Sequence, residues 1–228
     1  GEHGAIVHYS ADEKSNVPLK EGKLFMTDTG GHYLEGSTDI TRTVALGEVG
    51  NIEKEHFTLV ARAMLRLANT VFLYGCSGAN LDCIAREVFW KEGLNFNHGT
   101  GHGVGYLLNI HEGPINFRWK EGERPAPALE ENMVITDEPG IYIEGSHGIR
   151  LENELLVRKT VKNEYGQFMN FEILTYVPID LDAILPEKMS TEEKEMLNHY
   201  HKQVYEKVSP YLSEEERIWL KEYTRAVK

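Results

Sequence analysis

The chain has 228 residues, of which 41% are apolar and 26% charged, a composition typical of globular proteins that excludes a disordered or fibrous one. Its formal net charge of −12 argues against a phosphate-binding surface, so we expect no nucleic-acid partner. Two cysteines make no disulfide framework, and no run has the apolar length of a signal sequence or membrane span, so we expect a cytoplasmic protein without membrane contact.

The first half of the sequence predicts short strands followed by two helices. In order, the predicted elements are a β-like segment at residues 5–9, strands at 23–28 and 37–44, and helices at 51–74 and 80–92. The two strands are joined by a polar connection that contains Gly36, which favours a β-hairpin. Apolar side chains recur at three- and four-residue spacing in both helices, and Asn80 is expected to cap the second.

The second half predicts a glycine-rich loop, two strands and a helical tail. Every second residue from Gly99 to Gly105 is glycine, which leaves the backbone free of side chains where another segment must approach closely. Residues 133–138 and 148–157 are expected to be strands. The character becomes helical after residue 177, where helix-start patterns begin at Ser190 and Ser213. We therefore expect a boundary near residue 177.

Asp28 and Asp39 lie on opposite arms of the predicted hairpin. A turn centred near residues 33–34 would place the two side chains opposite one another on one face. Two facing carboxylates repel unless a proton or a cation lies between them, and a shared metal ion is the stronger remedy. Taken alone, the pair is weak evidence, because aspartates near turns are common.

Three of the ten histidines, His98, His102 and His111, fall within fourteen residues of the glycine-rich segment. A cluster favours function more than a single histidine does, because isolated histidines are commonly structural. The helical zinc-protease pattern is absent after His111, and the alternating glycines match neither the dinucleotide fingerprint nor the phosphate loop. The cluster therefore indicates a site but does not define its chemistry.

Two glutamates, Glu138 and Glu152, lie in apolar segments where a buried carboxylate is costly without a partner. The candidate donors are carboxylates and one imidazole: Asp28, Asp39, His102, Glu138 and Glu152. These five are enough for a carboxylate-bridged pair of divalent ions. The donor set suits manganese, cobalt or zinc, and the sequence does not choose among them.

Four motifs together resemble one known family. They are Asp28-Thr29-Gly30-Gly31 with Asp39-Ile40-Thr41-Arg42-Thr43, then Gly99 to Gly105 with Asn109 to Pro114, then Thr136 to Gly140, and finally Gly148 to Asn153. In this order they resemble the Xaa-Pro aminopeptidases (aminopeptidase P) of cytosolic type, and the tail resembles that group's C-terminal extension.

The resemblance implies a pita-bread α+β fold, with a curved antiparallel sheet flanked by helices. Residues 1–177 would be the metallopeptidase catalytic domain and residues 178–228 the helical C-terminal extension. Members of the family carry further domains and helices ahead of the first strand, so the N-terminal part would be truncated here. Apolar surface would then be exposed, and we expect a homodimer or other association through it.

By motif position, the resemblance also implies roles for particular residues. Asp28 would bind one metal ion, Asp39 and Glu152 would bridge two, and His102 and Glu138 would bind the other. His8, His98 and His111 would line the substrate site and act as hydrogen-bond donors to the oxyanion, and Glu138 would also relay a proton.

The implied reaction is that of a metallo-aminopeptidase with two divalent ions, most simply Mn²⁺, with Co²⁺ or Zn²⁺ as alternatives. A metal-bridging water or hydroxide would attack the bond before proline in peptides with proline at the second position. A prolidase-like dipeptidase and a non-catalytic binding module of the same fold are the alternatives. Arg150 is expected either to fix a ligand carboxylate or to form a surface salt bridge.

Overall fold

The computed structural model describes residues 3–120 and 126–228. Ten strands and four α-helices are present in these residues. The strands are β1 (Lys23–Tyr33), β2 (Gly36–Leu46), β3 (Phe72–Leu73), β4 (Gly101–His102), β5 (Asn116–Phe117), β6 (Val134–Asp137), β7 (Gly140–Ile143), β8 (His147–Arg150), β9 (Asn153–Asn163) and β10 (Gly166–Ile173). The helices are α1 (Asn51–Ala68), α2 (Gly78–Lys91), α3 (Thr191–Val208) and α4 (Glu214–Tyr223).

The predicted hairpin is present as β1 and β2, but its register differs from the expected one. Tyr33 pairs with Gly36, so the turn is centred on residues 34–35. Gly36 closes the turn at a φ of 146°, a conformation that glycine adopts without strain. The later turn shifts the pairing by two residues, so Asp28 faces Thr41 and Asp39 faces Gly30. Because the shift is even, both aspartates still lie on one face of the hairpin.

The central sheet has four antiparallel strands in the order β3-β10-β9-β6, and β7 pairs with β8 in a separate hairpin. The expected strand over residues 148–157 is therefore wrong, because it is two strands, β8 and β9, that pair with different partners. Glu152 lies at the break between them, and Glu138 lies at the break between β6 and β7. Both glutamates thus sit at strand ends rather than within strands.

Helices α1 and α2 supply much of the core, with Phe57, Met64 and Phe89 fully buried. Helix α1 ends at Ala68, six residues before the expected end, where the side chain of Asn69 donates to the carbonyl of Leu65. An asparagine that bonds the backbone in this way ends a helix.

Helix α2 begins at Gly78 with Ser77 as N-cap, rather than with the expected cap Asn80. The Asn80 side chain is the third-position partner of the capping box and accepts from the Ser77 N–H at 2.8 Å. The helix was therefore predicted correctly, but its N-cap was predicted three residues too late.

The helical tail follows the sequence pattern closely. Ser190 and Ser213 are the N-caps of α3 and α4, each in a capping box with a glutamate three residues later. Helix α3 packs on α1, where Arg62 Nε donates to Glu193 Oε2 at 3.0 Å. Tyr200 and Leu197 of α3 are buried in the core. The tail is therefore joined to the strands by both apolar and polar contacts.

Residues 5–9 form turns rather than the expected β-like segment. The N–H of Ile6 donates to the carbonyl of His3, and that of Tyr9 to the carbonyl of Ile6. These local bonds use the backbone groups that a strand would offer to a neighbour.

In the described part of the chain, none of the helices is long and apolar enough to cross a bilayer.

Candidate metal centre

Asp39, His102 and Glu152 converge so that one ligand atom from each lies within 4.8 Å of the others. His102 Nε2 is 3.5 Å from Asp39 Oδ2 and 3.4 Å from Glu138 Oε1. Glu138 therefore lies beside the three-residue cluster, in contact with His102. The structure thus gathers four of the five predicted ligands, from four separate segments, around one imidazole.

The ring of His102 is oriented by the glycine-rich loop that carries it. Its Nδ1 lies 3.0 Å from the Gly103 carbonyl, which can only accept, so Nδ1 carries the proton and Nε2 presents a lone pair to the carboxylates. The loop needs its glycines, since a Cβ at Gly101 would collide with the Thr136 carbonyl and one at Gly103 with the Glu112 carbonyl. The predicted close backbone approach is confirmed at both positions.

Two threonines hold the glutamates in place. Thr41 Oγ1 donates to Glu152 Oε2 at 2.7 Å, and Thr136 Oγ1 donates to Glu138 Oε1 at 3.1 Å. The sequence motifs contain both threonines but indicated no role for either of them. The signal was alternation along the strand, because Thr41 lies two residues after Asp39 and therefore faces the same side of β2.

Asp28 lies at the edge of the cluster and is held by Arg150. Arg150 Nη2 donates to Asp28 Oδ2 at 2.7 Å, and Nη1 donates to the Tyr142 hydroxyl at 3.0 Å. The Arg150 side chain is 3% exposed, against 48% for that of Asp28. Of the two expectations for Arg150, the structure supports the one in which it fixes a ligand carboxylate, and not the surface salt bridge.

Burial and mutual repulsion raise the pKa of the clustered carboxyl groups. Burial raises the pKa of Glu138 to about 7, and burial together with Glu138 and Asp39 holds the pKa of Glu152 well above its usual value. The pKa of Asp39 is raised by burial and by the nearby Asp28. A bound divalent cation reverses this effect, because it stabilises the ionised carboxylates.

The donor set fits a divalent metal. Glu152 Oε1 is buried and accepts no hydrogen bond within the described residues, which leaves a buried oxygen uncompensated in a residue of the cluster. Carboxylate oxygens and one imidazole nitrogen, without thiolate, are the ligands that Mn²⁺, Co²⁺ and Zn²⁺ accept. The residues present therefore match the cation that the sequence predicted.

The three histidines expected to line the substrate site differ in their surroundings. The His98 Nδ1 lies 2.7 Å from the Gly99 carbonyl. Its Nε2 is buried and has no hydrogen-bond partner among the described residues, and burial lowers the pKa of His98 to about 4. Neutral His98 therefore offers Nε2 as an acceptor rather than the expected donor. His111 is exposed but its ring stands 4.3 Å from that of His102, centroid to centroid.

His8 is exposed and borders a cavity of about 620 Å³ between residues 3–20 and β1. Asp28 and Arg150 also line this cavity, as do apolar side chains such as Leu24 and Met26. The cavity therefore connects His8 with the edge of the carboxylate cluster and offers mainly apolar surface.

The cluster of carboxylates and one imidazole has the ligand types that two-metal hydrolases use. The profile of metallopeptidase family M24 matches residues 1–159, and that of the C-terminal region of peptidase M24 matches residues 167–227. The chain belongs to metallopeptidase family M24.

Similar proteins share the whole length of the chain. It is 39% identical to a probable Xaa-Pro aminopeptidase P of Paracoccidioides brasiliensis, over 100% of this chain and 38% of that protein. It is 38% identical to aminopeptidase P1 of Arabidopsis thaliana, over 100% of this chain and 36% of that protein. The chain thus spans little more than a third of the length of these relatives.

Solved structures place the fold in the same family. An X-prolyl aminopeptidase from Caenorhabditis elegans, described as a cytosolic enzyme with a di-nuclear active site, matches at TM-score 0.93 and 36% identity, over 100% of this chain and 37% of that chain. The prolidase from Pyrococcus furiosus matches at TM-score 0.62 and 33% identity, over 78% of this chain and 47% of that chain. The expected fold class is confirmed.

Proposed function

We propose that this chain is the metal-binding catalytic part of an Xaa-Pro aminopeptidase, which hydrolyses the bond before proline in peptides with proline at the second position. The observation that carries the proposal is the cluster of Asp39, His102 and Glu152, in which a buried Glu152 oxygen has no hydrogen-bond partner within the described residues. The family membership supports it, because the cluster lies on the motifs by which the chain resembles these enzymes.

Two divalent ions are proposed as the cofactors, with Asp28, Asp39, His102, Glu138 and Glu152 as their ligands. When bound, such ions lower the pKa of a water molecule and polarise a carbonyl group. Mn²⁺ is the proposed metal, and Co²⁺ and Zn²⁺ suit the same oxygen and nitrogen donors. Thr41 and Thr136 orient the glutamates, and Arg150 orients Asp28.

The remaining side chains are proposed to bind substrate and move the proton. Neutral His98 accepts a hydrogen bond at Nε2 from a substrate N–H, because its Nδ1 is committed to Gly99. His111, whose ring lies beside that of His102, contacts the peptide. His8, which borders the cavity, contacts it as well. Glu138 carries the proton, since burial raises the pKa of its carboxyl group to about 7.

A prolidase-like dipeptidase is the second candidate. The Pyrococcus furiosus prolidase covers 78% of this chain, whereas the Caenorhabditis elegans aminopeptidase covers all of it at a much higher TM-score. Both fungal and plant relatives that match the whole chain are named as aminopeptidases P. These observations favour the aminopeptidase over the dipeptidase and over a binding module.

Three further features are proposed on the family resemblance: residues 178–228 as a C-terminal extension that follows a catalytic domain of residues 1–177, a homodimer, and a cytoplasmic location. Sedimentation of the purified chain measures the oligomer directly. The cytosolic description of the Caenorhabditis elegans enzyme supports the location.

The test is metal analysis after Mn²⁺ loading, together with hydrolysis of a peptide whose second residue is proline. Asp39→Asn removes one ligand charge with little change in shape, and the exposed Asp182→Asn is its matched control. We expect about two ions per chain and cleavage, both lost in Asp39→Asn and kept in Asp182→Asn. A wild-type chain that binds no metal, or Asp39→Asn that cleaves normally, would refute the proposal. Release of proline from Xaa-Pro dipeptides alone, with no cleavage of longer peptides, would instead identify the dipeptidase.

A further inference from the structure

The guanidinium of Arg42 is buried on β2 among neutral acceptors. Its side chain donates to the carbonyl oxygens of Thr41, Glu152, Val177 and Pro178, to the side-chain oxygen of Asn153, and to the hydroxyl of Tyr200, at distances of 2.5–3.2 Å. The residue is 6% exposed. A planar guanidinium with five N–H groups can fix several segments at once, which a lysine ammonium cannot do.

Two of these acceptors belong to residues that meet in the carboxylate cluster. Arg42 Nη1 donates to the carbonyl of Glu152 at 2.5 Å and to that of Thr41 at 2.9 Å. The side chains of these same two residues are bonded to each other, Thr41 Oγ1 to Glu152 Oε2. Glu152 lies between β8 and β9, so its carbonyl is outside the strand ladders and is held by Arg42, while its N–H donates to the Thr41 carbonyl of β2. The backbone position of Glu152 decides where its carboxylate points.

Tyr200 of α3 holds the other end of Arg42. Its hydroxyl accepts from Arg42 Nη2 at 2.8 Å and lies 2.7 Å from the Val177 carbonyl, to which it donates. Tyr200 is 1% exposed. One hydroxyl from the helical tail therefore helps to hold the guanidinium of Arg42, together with the Val177 carbonyl and the Asn153 side chain on the same Nη2.

We propose that Arg42 is a positioning residue for the metal centre, held in place by Tyr200, so that the C-terminal helical tail sets the affinity of the site for metal. This inference rests on the proposed function, because it requires that Glu152 binds metal. It assigns to the tail an effect on the metal site, beyond its packing against α1.

The test measures the affinity for Mn²⁺ by calorimetry at 25 °C, with free Mn²⁺ followed by electron paramagnetic resonance. Tyr200→Phe removes only the hydroxyl, and Tyr205→Phe on the same helix is the matched control. We expect Tyr200→Phe to bind Mn²⁺ about tenfold more weakly, the lower end of the effect of residues that orient metal ligands. Tyr205→Phe should bind as the wild type does.

The affinity separates positioning from a structural role, because a loss of fold stability alone does not change the affinity of chains that circular dichroism shows to be folded. Tyr200→Phe that melts at a lower temperature but binds Mn²⁺ normally would overturn the inference.

If Tyr200→Phe does not fold, Arg42→Lys provides the same comparison, and normal Mn²⁺ affinity in that variant overturns the inference equally. If both fold, the double variant should lose little more affinity than the larger single effect, whereas additive losses would show that Tyr200 does not act through Arg42. A wild-type chain without metal affinity would refute the proposed function and this inference together, and is distinguishable from failure of the inference alone.

Discussion

Acidification from pH 7 to pH 5 should remove the stability that one buried histidine of the tail contributes to the fold. His201 of α3 is fully buried, and its Nε2 accepts from the N–H of Ile179 at 3.0 Å. Burial, followed by the nearby Arg42, lowers the pKa of His201 to about 4. Acid must therefore protonate a group that the native state keeps neutral.

The sign of the effect follows from the two pKa values. The folded-state pKa of His201 lies near 4, whereas histidine in an unfolded chain has a pKa near 6.5. Between these values the imidazole binds a proton more readily in the unfolded state, so the contribution of His201 to stability falls as the pH falls through this window and is retained above about 6.5. At pH 5, the difference in proton binding amounts to about 2 kcal/mol of unfolding free energy.

The assay is urea unfolding at pH 7.0 and pH 5.0, with wild type compared with His201→Gln. The glutamine amide oxygen can still accept from Ile179 but does not ionise. The wild type should lose about 2 kcal/mol more than the variant between the two pH values. His199→Gln, an exposed position on the same helix, controls for removal of a histidine. Equal losses in wild type and His201→Gln would refute the reasoning.

Two substitutions near the carboxylate cluster give further predictions. Gly101→Ala places a methyl group against the Thr136 carbonyl, so the backbone that carries His102 must shift, and we expect Mn²⁺ affinity measured by calorimetry to fall at least tenfold. Unchanged affinity would show that the loop yields without moving the ligand. Arg150→Lys replaces a fork that holds Asp28 with a single ammonium, and we expect roughly tenfold weaker Mn²⁺ binding. Affinity equal to that of wild type would mean that Arg150 does not orient the ligand.

The sequence predicted the elements of the fold better than their ends. The hairpin of β1 and β2 and both tail helices were expected, because turn glycines and capping serines are local signals. The end of α1 and the break between β8 and β9 were not expected. The first depends on the bond from the Asn69 side chain to the Leu65 carbonyl, and the second on pairing with different partner strands. The segment at residues 5–9 reads as a strand by composition, yet it lies in turns.

The candidate site was also predicted only in part from the sequence. The carboxylates and the imidazole could be selected from residue type and motif order, and the structure brings Asp39, His102 and Glu152 together. Their supporting partners could not, because Thr41, Arg42 and Tyr200 resemble ordinary strand or helix residues in sequence. The contact between Arg42 and Tyr200 joins residues that are 158 positions apart. No local sequence pattern predicts such a contact.

Strand ends explain how the fold can place acidic side chains in its interior. Glu138 follows β6 and Glu152 follows β8. Each glutamate therefore lies outside the strand that precedes it and outside the hydrogen-bond ladder of that strand. Their backbone groups bond other segments instead: the Glu138 N–H donates to Thr100 at 2.8 Å and the Glu152 N–H to Thr41 at 3.0 Å. Thr100 precedes the strand that carries His102, and Thr41 lies on the strand that carries Asp39. These hydrogen bonds therefore connect each glutamate to a segment that carries another proposed metal ligand. In this way the interruptions between the strands bring the residues of the site together.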